Sequence, residues 1–270
     1  MASLNRAVLD LKRLDLLARG TTPLHLLDAR AKVLVTLVYI ICIVSYDRYE
    51  LANLLPFCIF PAVMVPLSTI PPRFIARKIA LLCPFVLIIG IFNPLLDREI
   101  LLQIGPLAVS GGWVSFLSIL VRSVLTIGGA FILIGTTGFS AVCQALERLG
   151  MPQVFAVQLL FLYRYIFVLA DEGERASRAR ELRACGKKGL GIRSFGSLIG
   201  HLLLRTWQRA ERIHQAMLAR GFKGEFHSGR QSVFGFPEAR FVAGWSICFI
   251  FLRLYDIPGL LGSLVTGFLA

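Results

Sequence analysis

The chain has 270 residues, of which 56% are hydrophobic, and its 29 Lys and Arg residues outnumber its 16 Asp and Glu residues. A soluble domain is usually ~45–50% apolar, and residues 51–70 and 79–96 contain no charged residue at all. Uncharged apolar runs of about 18 residues or more are typical of membrane-spanning helices. The composition therefore excludes an ordinary soluble domain and predicts an all-α fold, a polytopic membrane helical bundle.

The N-terminal residues 1–30 are predicted to form an amphipathic, interfacial arm. Its apolar residues recur at helical intervals among charged ones, at Leu4, Val8, Leu11 and Leu14. A signal peptide needs an uninterrupted apolar core, which this pattern lacks. We therefore expect a helix lying on the membrane surface, with a solvated tail as the alternative.

Residues 31–137 are predicted to form a four-helix transmembrane region. The expected spans lie near residues 31–46, 51–70, 79–96 and 113–135, and Asp28 is the expected N-cap of the first. Gly128 and Gly129 predict a close helix contact in the fourth span. Arg122 is the only charge well inside that span, and it either lies on a transport pathway or is a bundle-facing or snorkelling arginine.

The distribution of basic residues predicts the orientation of these spans. Arg and Lys residues concentrate in the N-terminal arm and in residues 71–78, whereas residues 46–50 and 97–112 are nearly neutral. Cytoplasmic loops of membrane proteins are enriched in Lys and Arg, so the N-terminus and residues 71–78 are expected in the cytoplasm. The same enrichment accounts for the positive charge without a nucleic-acid partner.

Residues 138–230 are predicted to form helices on the cytoplasmic side. Residues 153–170 are apolar enough to cross the membrane, but residues 171–230 contain 13 Lys and Arg against 6 Asp and Glu. A crossing would place this positive segment outside the cell, against the usual charge bias. We therefore expect residues 153–170 not to span but to form one arm of a helical hairpin.

The C-terminal residues 231–270 are mostly apolar and predict a fifth span. Arg253, Asp256 and Pro258 interrupt the apolar pattern. The segment is therefore expected to be one broken span, with a span followed by an interfacial piece as the alternative.

The sequence contains no pattern typical of an enzyme or of a bound metal or cofactor. Its four histidines and six cysteines show neither metal-ligand spacing nor a disulfide framework, and no P-loop or nucleophile elbow is found. An integral membrane enzyme acting on lipid, the outside alternative, needs paired acids or a histidine cluster at the membrane face. The sequence shows neither.

Two cytoplasmic helices end in similar arginine-rich sequences, "RARELRACG" at 178–186 and "AMLARGF" at 216–222. Arginine keeps its charge and presents a rigid fork that matches a carboxylate. The last turn of a helix also favours a cation, because the helix C-terminus carries partial negative charge. A single exposed arginine usually belongs to a solvated face, but two such endings favour pegs for an acid-lined groove on another protein.

With "LHLLDARAKVL" before the first span and "ALERLGMP" before residues 153–170, these motifs resemble the T component of energy-coupling factor transporters, in the cobalt-type CbiQ branch. The resemblance covers roughly residues 20 to 228. It implies a non-enzymatic coupling subunit of an ABC-type importer, which links a cytoplasmic ABC ATPase dimer to a membrane substrate-binding (S) component. It further implies that the partners hydrolyse ATP, that this chain binds no cofactor or metal, and that it is a multi-pass protein of the bacterial inner membrane. Cobalt, used in cobalamin biosynthesis, is the implied substrate, with nickel or a vitamin such as biotin as alternatives.

The same resemblance implies that ATPase-docking residues lie at the ends of the two coupling helices. The second motif corresponds to Ala219, Arg220 and Gly221. The first departs from the family pattern, because Ala184-Cys185-Gly186 lacks the expected arginine. Its role then falls to Arg180, which follows Ala179, or to Arg183.

Overall fold

The computed structural model describes the chain in segments separated by short gaps: residues 9, 13–18, 20–47, 49–68, 70–96, 100–104, 107–183, 192–222, 224 and 234–255. The chain divides into two compact units. We call residues 15–138 with 232–270 the bundle unit, and residues 1–14 with 139–231 the hairpin unit.

The bundle unit is built mainly from helices, which confirms the predicted fold class. They are α1 (Pro23–Leu26), α2 (Ala29–Val44), a 3-10 helix (Ala52–Cys58), α3 (Ile59–Leu67), α4 (Pro72–Gly90), α5 (Phe92–Leu96), α6 (Gly111–Thr137) and α10 (Phe236–Leu254). Two short strands, β1 (Ile100–Ile104) and β2 (Leu107–Ser110), pair antiparallel between α5 and α6. The sequence indicates residues 97–112 only as a nearly neutral segment between two predicted spans, so this pair of strands was not predicted.

The hairpin unit contains α7 (Phe139–Arg148), α8 (Gln153–Arg183) and α9 (Ile192–Ala219). The Phe139 ring stacks on Tyr163 of α8 with a centroid distance of 4.7 Å, which fixes α7 against α8. Gly150 has a φ of 114° just after α7. That left-handed conformation suits glycine and allows the chain to turn from α7 toward α8.

Among the residues that the structure describes, three helices are long and apolar enough to cross a membrane: Pro72–Pro94, Gly111–Thr137 and Gln153–Arg183. Ala52–Leu67 is a shorter apolar helix, and Pro56 and Pro66 lie inside its 3-10 and α portions. Proline lacks a backbone N–H donor. This explains why residues 51–70, predicted as one regular span, contain a 3-10 helix followed by a short α-helix. Since α8 meets the length and composition of a span, the prediction that residues 153–170 do not cross depends on the charge behind them and stays a prediction.

Tyr39 of α2 lies at the centre of the bundle core and is fully buried. Its ring centroid lies 4.6 Å from that of Phe60 and 5.2 Å from that of Phe249, and its hydroxyl donates to the Phe57 carbonyl at 3.3 Å. A Cβ added at Gly129 would lie 3.0 Å from Tyr39 Cε1. The glycine therefore allows α6 to approach α2 closely, as the sequence predicts.

Polar side chains complete the helix ends of the bundle unit. The Asp28 carboxylate accepts from the Arg30 N–H at 2.9 Å, which confirms the predicted N-cap of α2. Lys32 is buried, and its ammonium donates to the Thr136 carbonyl at 3.1 Å, near the end of α6. A cation is favourable there because a helix C-terminus carries partial negative charge.

Arg122 faces the bundle, which is the second of the two roles that the sequence leaves open. Its guanidinium donates to the carbonyls of Tyr46 at 2.9 Å and Asp47 at 3.2 Å, just beyond the end of α2. Arg253 of α10 donates to the neighbouring Ser45 carbonyl at 3.1 Å. Two arginines from different helices thus satisfy carbonyls at the same helix end.

Candidate docking site on the helical hairpin

Helices α8 and α9 pack as an antiparallel pair. Near the middle of the pair, Glu172 of α8 forms ion pairs with Arg205 and Arg209 of α9. Residues near the end of α8 line a groove with residues near the start of α9, and residues near the start of α8 line another with the end of α9. The C-terminal ends of the two helices therefore lie at opposite ends of the hairpin.

The first groove lies beside the end of α8 and has a volume of about 420 Å³. We call it the Arg183 groove. Its lining residues are Ala176, Ala179, Arg180 and Arg183 from α8, and Leu198, His201, Leu202 and Arg205 from α9. All three residues predicted for the first motif, Ala179, Arg180 and Arg183, line this groove. The geometry therefore keeps both arginines as candidates for one role.

The second groove lies beside the end of α9 and has a volume of about 550 Å³. We call it the Arg220 groove. Its lining residues are Phe161, Arg164, Tyr165 and Val168 from α8, together with Arg209, Ile213, Met217, Arg220, Gly221 and Phe222. Three guanidinium groups and three aromatic rings thus share one concave surface. Ala219 ends α9 next to this groove.

The turn that follows α9 fixes Arg220 at the last turn of the helix. Gly221 has a φ of 79°, which favours glycine. The Phe222 N–H donates to the Met217 carbonyl at 3.0 Å, and the Gly221 N–H donates to the Leu218 carbonyl at 2.9 Å. This pair of bonds is a Schellman motif, so the prediction that Gly221 ends the helix is confirmed.

Positive charge dominates both grooves. Arg180, Arg183 and Arg205 line the first, while Arg164, Arg209 and Arg220 line the second. Glu172, whose side chain is 16% exposed, forms ion pairs with Arg205 of the first groove and Arg209 of the second. An arrangement of this kind suits carboxylates or other anions on a partner.

Several groove residues are not among the sequence-predicted site residues: Arg164, His201, Arg205 and Arg209. Arg205 and Arg209 are four residues apart, so helical periodicity places them on one face of α9. Their position in the grooves depends on the register of α9 against α8, which no local pattern reveals. Ala184-Cys185-Gly186 lies outside the described residues.

Within the described segments, no three His, Cys, Asp or Glu side chains gather in a group that could hold a metal ion. The two grooves are instead lined by cationic, aromatic and aliphatic side chains. A lining of this kind suits the binding of an anionic group.

Comparison with known families decides the identity. The family model described as cobalt transport protein, CbiQ, matches residues 20–232, which is more than half of the chain. The chain belongs to the CbiQ family. It is a T component of the energy-coupling factor transporters, and this CbiQ-family chain is therefore a membrane component of a transporter, not an enzyme.

The names of two relatives of the CbiQ-family chain, an EcfT and a CbiMQ protein, agree with this assignment. An energy-coupling factor transporter transmembrane protein EcfT from Leuconostoc gelidum subsp. gasicomitatum is 26% identical over 258 residues, covering 87% of this chain and 95% of the relative. A putative fused cobalt transport protein CbiMQ from Methanocorpusculum labreanum is 30% identical over 111 residues, covering 39% of this chain and 18% of the relative. An uncharacterized protein from Methanocaldococcus jannaschii is 34% identical over 92 residues, and the match spans only 34% of that relative's length.

Proposed function

We propose that this chain couples a pair of cytoplasmic ABC ATPases to a membrane substrate-binding (S) component, with one ATPase docked at each end of the α8–α9 hairpin. The observation that carries the proposal is the pair of arginine-lined grooves at opposite ends of one antiparallel helix pair. The names of the EcfT relatives support a place in an energy-coupling factor transporter. ATP is hydrolysed by the partners, and this chain binds no cofactor itself.

The distance between the outer ends of the two grooves supports docking of two domains rather than one. Arg183 marks one groove, and the Arg220 groove reaches Phe161 and Tyr165 near the start of α8. About 20 residues of α8 lie between these positions, which corresponds to roughly 30 Å at a rise of ~1.5 Å per residue. That length is close to the diameter of a small domain, so each end has room for its own partner.

The chemistry of each groove indicates what the partner must offer. A guanidinium binds a carboxylate through two parallel hydrogen bonds and cannot lose its charge. We infer that Arg220, held between Ala219 and Gly221, enters an acid-lined groove of one ATPase, and that Arg180 or Arg183, near Ala179, does the same at the other. Aromatic side chains such as Phe222 add apolar contact area beside the ion pair.

The proposed mechanism is mechanical. Binding of ATP closes the ATPase pair and changes the distance between the two docked ends. Helices α8 and α9 pass this displacement on as rigid elements, and the membrane part of the transporter uses it to change the state of the S component. A conformational change of this kind requires that the docked helices differ in energy between the open and closed ATPase pair.

The proposed substrate is cobalt. The family description and the fused CbiMQ relative both name cobalt transport. Recognition of the ion is assigned to the S component, and nickel or a vitamin such as biotin is the alternative substrate. From the charge bias of the loops we further propose a multi-pass protein of the bacterial inner membrane with a cytoplasmic N-terminus and no nucleic-acid partner.

Copurification of the ATPases with affinity-tagged variants tests the docking role of Arg220. Arg220→Ala removes a guanidinium from the docking groove, whereas Arg212→Ala removes one from the same helix outside both described grooves. Truncating one partner of a buried ion pair costs about 2–5 kcal/mol, so ATPase retention is expected to fall at least tenfold for Arg220→Ala and to stay native for Arg212→Ala. Unchanged assembly and unchanged Co²⁺ uptake in Arg220→Ala would remove Arg220 from the mechanism.

A further inference from the structure

Glu172 connects the two helices of the hairpin with one carboxylate. Its Oε1 lies 3.3 Å from Arg205 Nη1, and its Oε2 lies 3.5 Å from Arg209 Nη1. Both partners are on the other helix, 33 and 37 residues along the chain. The nearby ion pair of Glu174 and Arg178, at 2.7 Å, lies within α8 and does not connect α8 to α9.

The two arginines held by Glu172 belong to different grooves. Arg205 lines the Arg183 groove, and Arg209 lines the Arg220 groove. The backbone next to Glu172 also lies close to α9, because a Cβ added at Gly173 would lie 3.8 Å from Leu202 Cδ1. The carboxylate therefore lies where the helices touch, between the two docking ends.

We propose that Glu172 is a positioning residue that clamps α8 to α9 and so fixes the two docking grooves relative to each other. This inference rests on the proposed function. Arg183 is 11 residues from Glu172 along α8, and Arg220 is 11 residues from Arg209 along α9. Each corresponds to roughly 16 Å at ~1.5 Å per residue. Two arms of similar length thus extend from one clamp.

The clamp matters because displacement passes through the hairpin only if its two helices keep a fixed relation. Without the carboxylate, Arg205 and Arg209 are like charges four residues apart and repel each other. The helices then slip at their contact while the arginines proposed for docking remain in place. Loss of the clamp is therefore expected to leave ATPase docking intact and to lower the amount of substrate transported per ATP hydrolysed.

The experiment uses the complete transporter complex in proteoliposomes, with Co²⁺ as the transported probe. Three quantities are measured: ATPase retained on purification, ATP hydrolysed, and Co²⁺ taken up. For Glu172→Gln we expect native ATPase retention and a roughly fivefold fall in Co²⁺ taken up per ATP, the scale typical of changed coupling between sites. Glu172→Asp keeps the charge and is expected to retain more of the native ratio. Glu174→Gln, the matched control on the same helix, is expected to keep all of it.

A distance measurement gives a readout that does not depend on the transported ion. Spin labels on cysteines replacing Leu182 and Leu218, both exposed side chains near the helix ends, report the spacing of the two arms in a cysteine-free background. The native complex is expected to give one narrow distance distribution and Glu172→Gln a broader one. Equal widths would overturn the proposal.

The remaining outcomes separate the clamp from the docking role. A native ratio of Co²⁺ taken up to ATP hydrolysed in Glu172→Gln overturns the clamp proposal. Loss of the ATPases from the same variant also overturns it, because Glu172 would then be needed for ATPase binding. If Glu172→Gln does not accumulate in the membrane, Glu172→Asp, whose carboxylate is one methylene shorter, must lower the ratio below that of Glu174→Asp while keeping the ATPases bound, and a native ratio there also overturns it. Arg220→Ala in the same series tests the proposed function. If Arg220→Ala loses the ATPases while Glu172→Gln keeps the native ratio of Co²⁺ to ATP, the docking proposal stands and only the clamp proposal fails.

Discussion

Replacement of Gly129 by alanine tests the close packing of α6 against α2. The added Cβ would lie 3.0 Å from Tyr39 Cε1 and 3.2 Å from Cδ1, tighter than most carbon contacts, so the ring would have to move by a few tenths of an ångström. The ring has little room to move, because it is fully buried and packs at 4.6 Å from the Phe60 ring. Overpacking of a well-packed core typically costs about 1–3 kcal/mol.

Gly128→Ala is the matched control for this prediction. Its added Cβ would lie 3.8 Å from Ile79 Cδ1, an ordinary van der Waals contact. Both variants gain the same helix propensity of about 1 kcal/mol, so the difference between them isolates the clash. Gly129→Ala should therefore be less stable than Gly128→Ala by about 1–3 kcal/mol in reversible unfolding in mixed micelles followed by circular dichroism. Equal free energies of unfolding would refute the packing argument.

Three further predictions concern the helix ends. Burial, and then the charge of Lys32, lower the pKa of His25 from its ordinary value of 6.5. The folded state therefore binds fewer protons than the unfolded state, and its free energy of unfolding should fall as the pH drops below 6.5. Thermal unfolding of His25→Gln should lose that part of the pH dependence. Lys32→Met removes the buried ammonium that donates to the Thr136 carbonyl at the end of α6. The free energy of unfolding should fall by about 1–3 kcal/mol in the micelle assay. An unchanged midpoint of unfolding would contradict this role of Lys32. Gly221→Ala strains a left-handed residue by about 1–2 kcal/mol and should reduce ATPase retention, while Gly200→Ala, in the helix interior, should retain the ATPases as the native chain does.

Local signals predicted the helix ends well. The cap at Asp28 and the turn at Gly221 each depend on a residue type acting within a few positions of itself. The strands at residues 100–110 also had a local signal, because Gly105-Pro106 separates two short apolar runs. This turn signal was not used, because the sequence predictions were based mainly on the hydropathy of membrane spans.

Long-range contacts account for what the sequence did not reveal. The carbonyl partners of Arg122 lie more than 70 residues earlier in the chain, so its role needed the packed bundle. Arg164 and Arg209 join Arg220 only because α8 and α9 are antiparallel in one particular register. Hydrophobic periodicity predicts that two helices pack, but it does not give that register.

Site-specific photocrosslinking in native membranes tests the central claim most directly, with a photoreactive amino acid at Leu182, an exposed residue that precedes Arg183 in α8, or at Phe222, in the Arg220 groove. The account predicts that both positions crosslink to an ABC ATPase subunit, and that the same probe at Leu37, an exposed side chain of α2 in the bundle unit, does not. Absence of ATPase from the products at both hairpin positions would contradict the account.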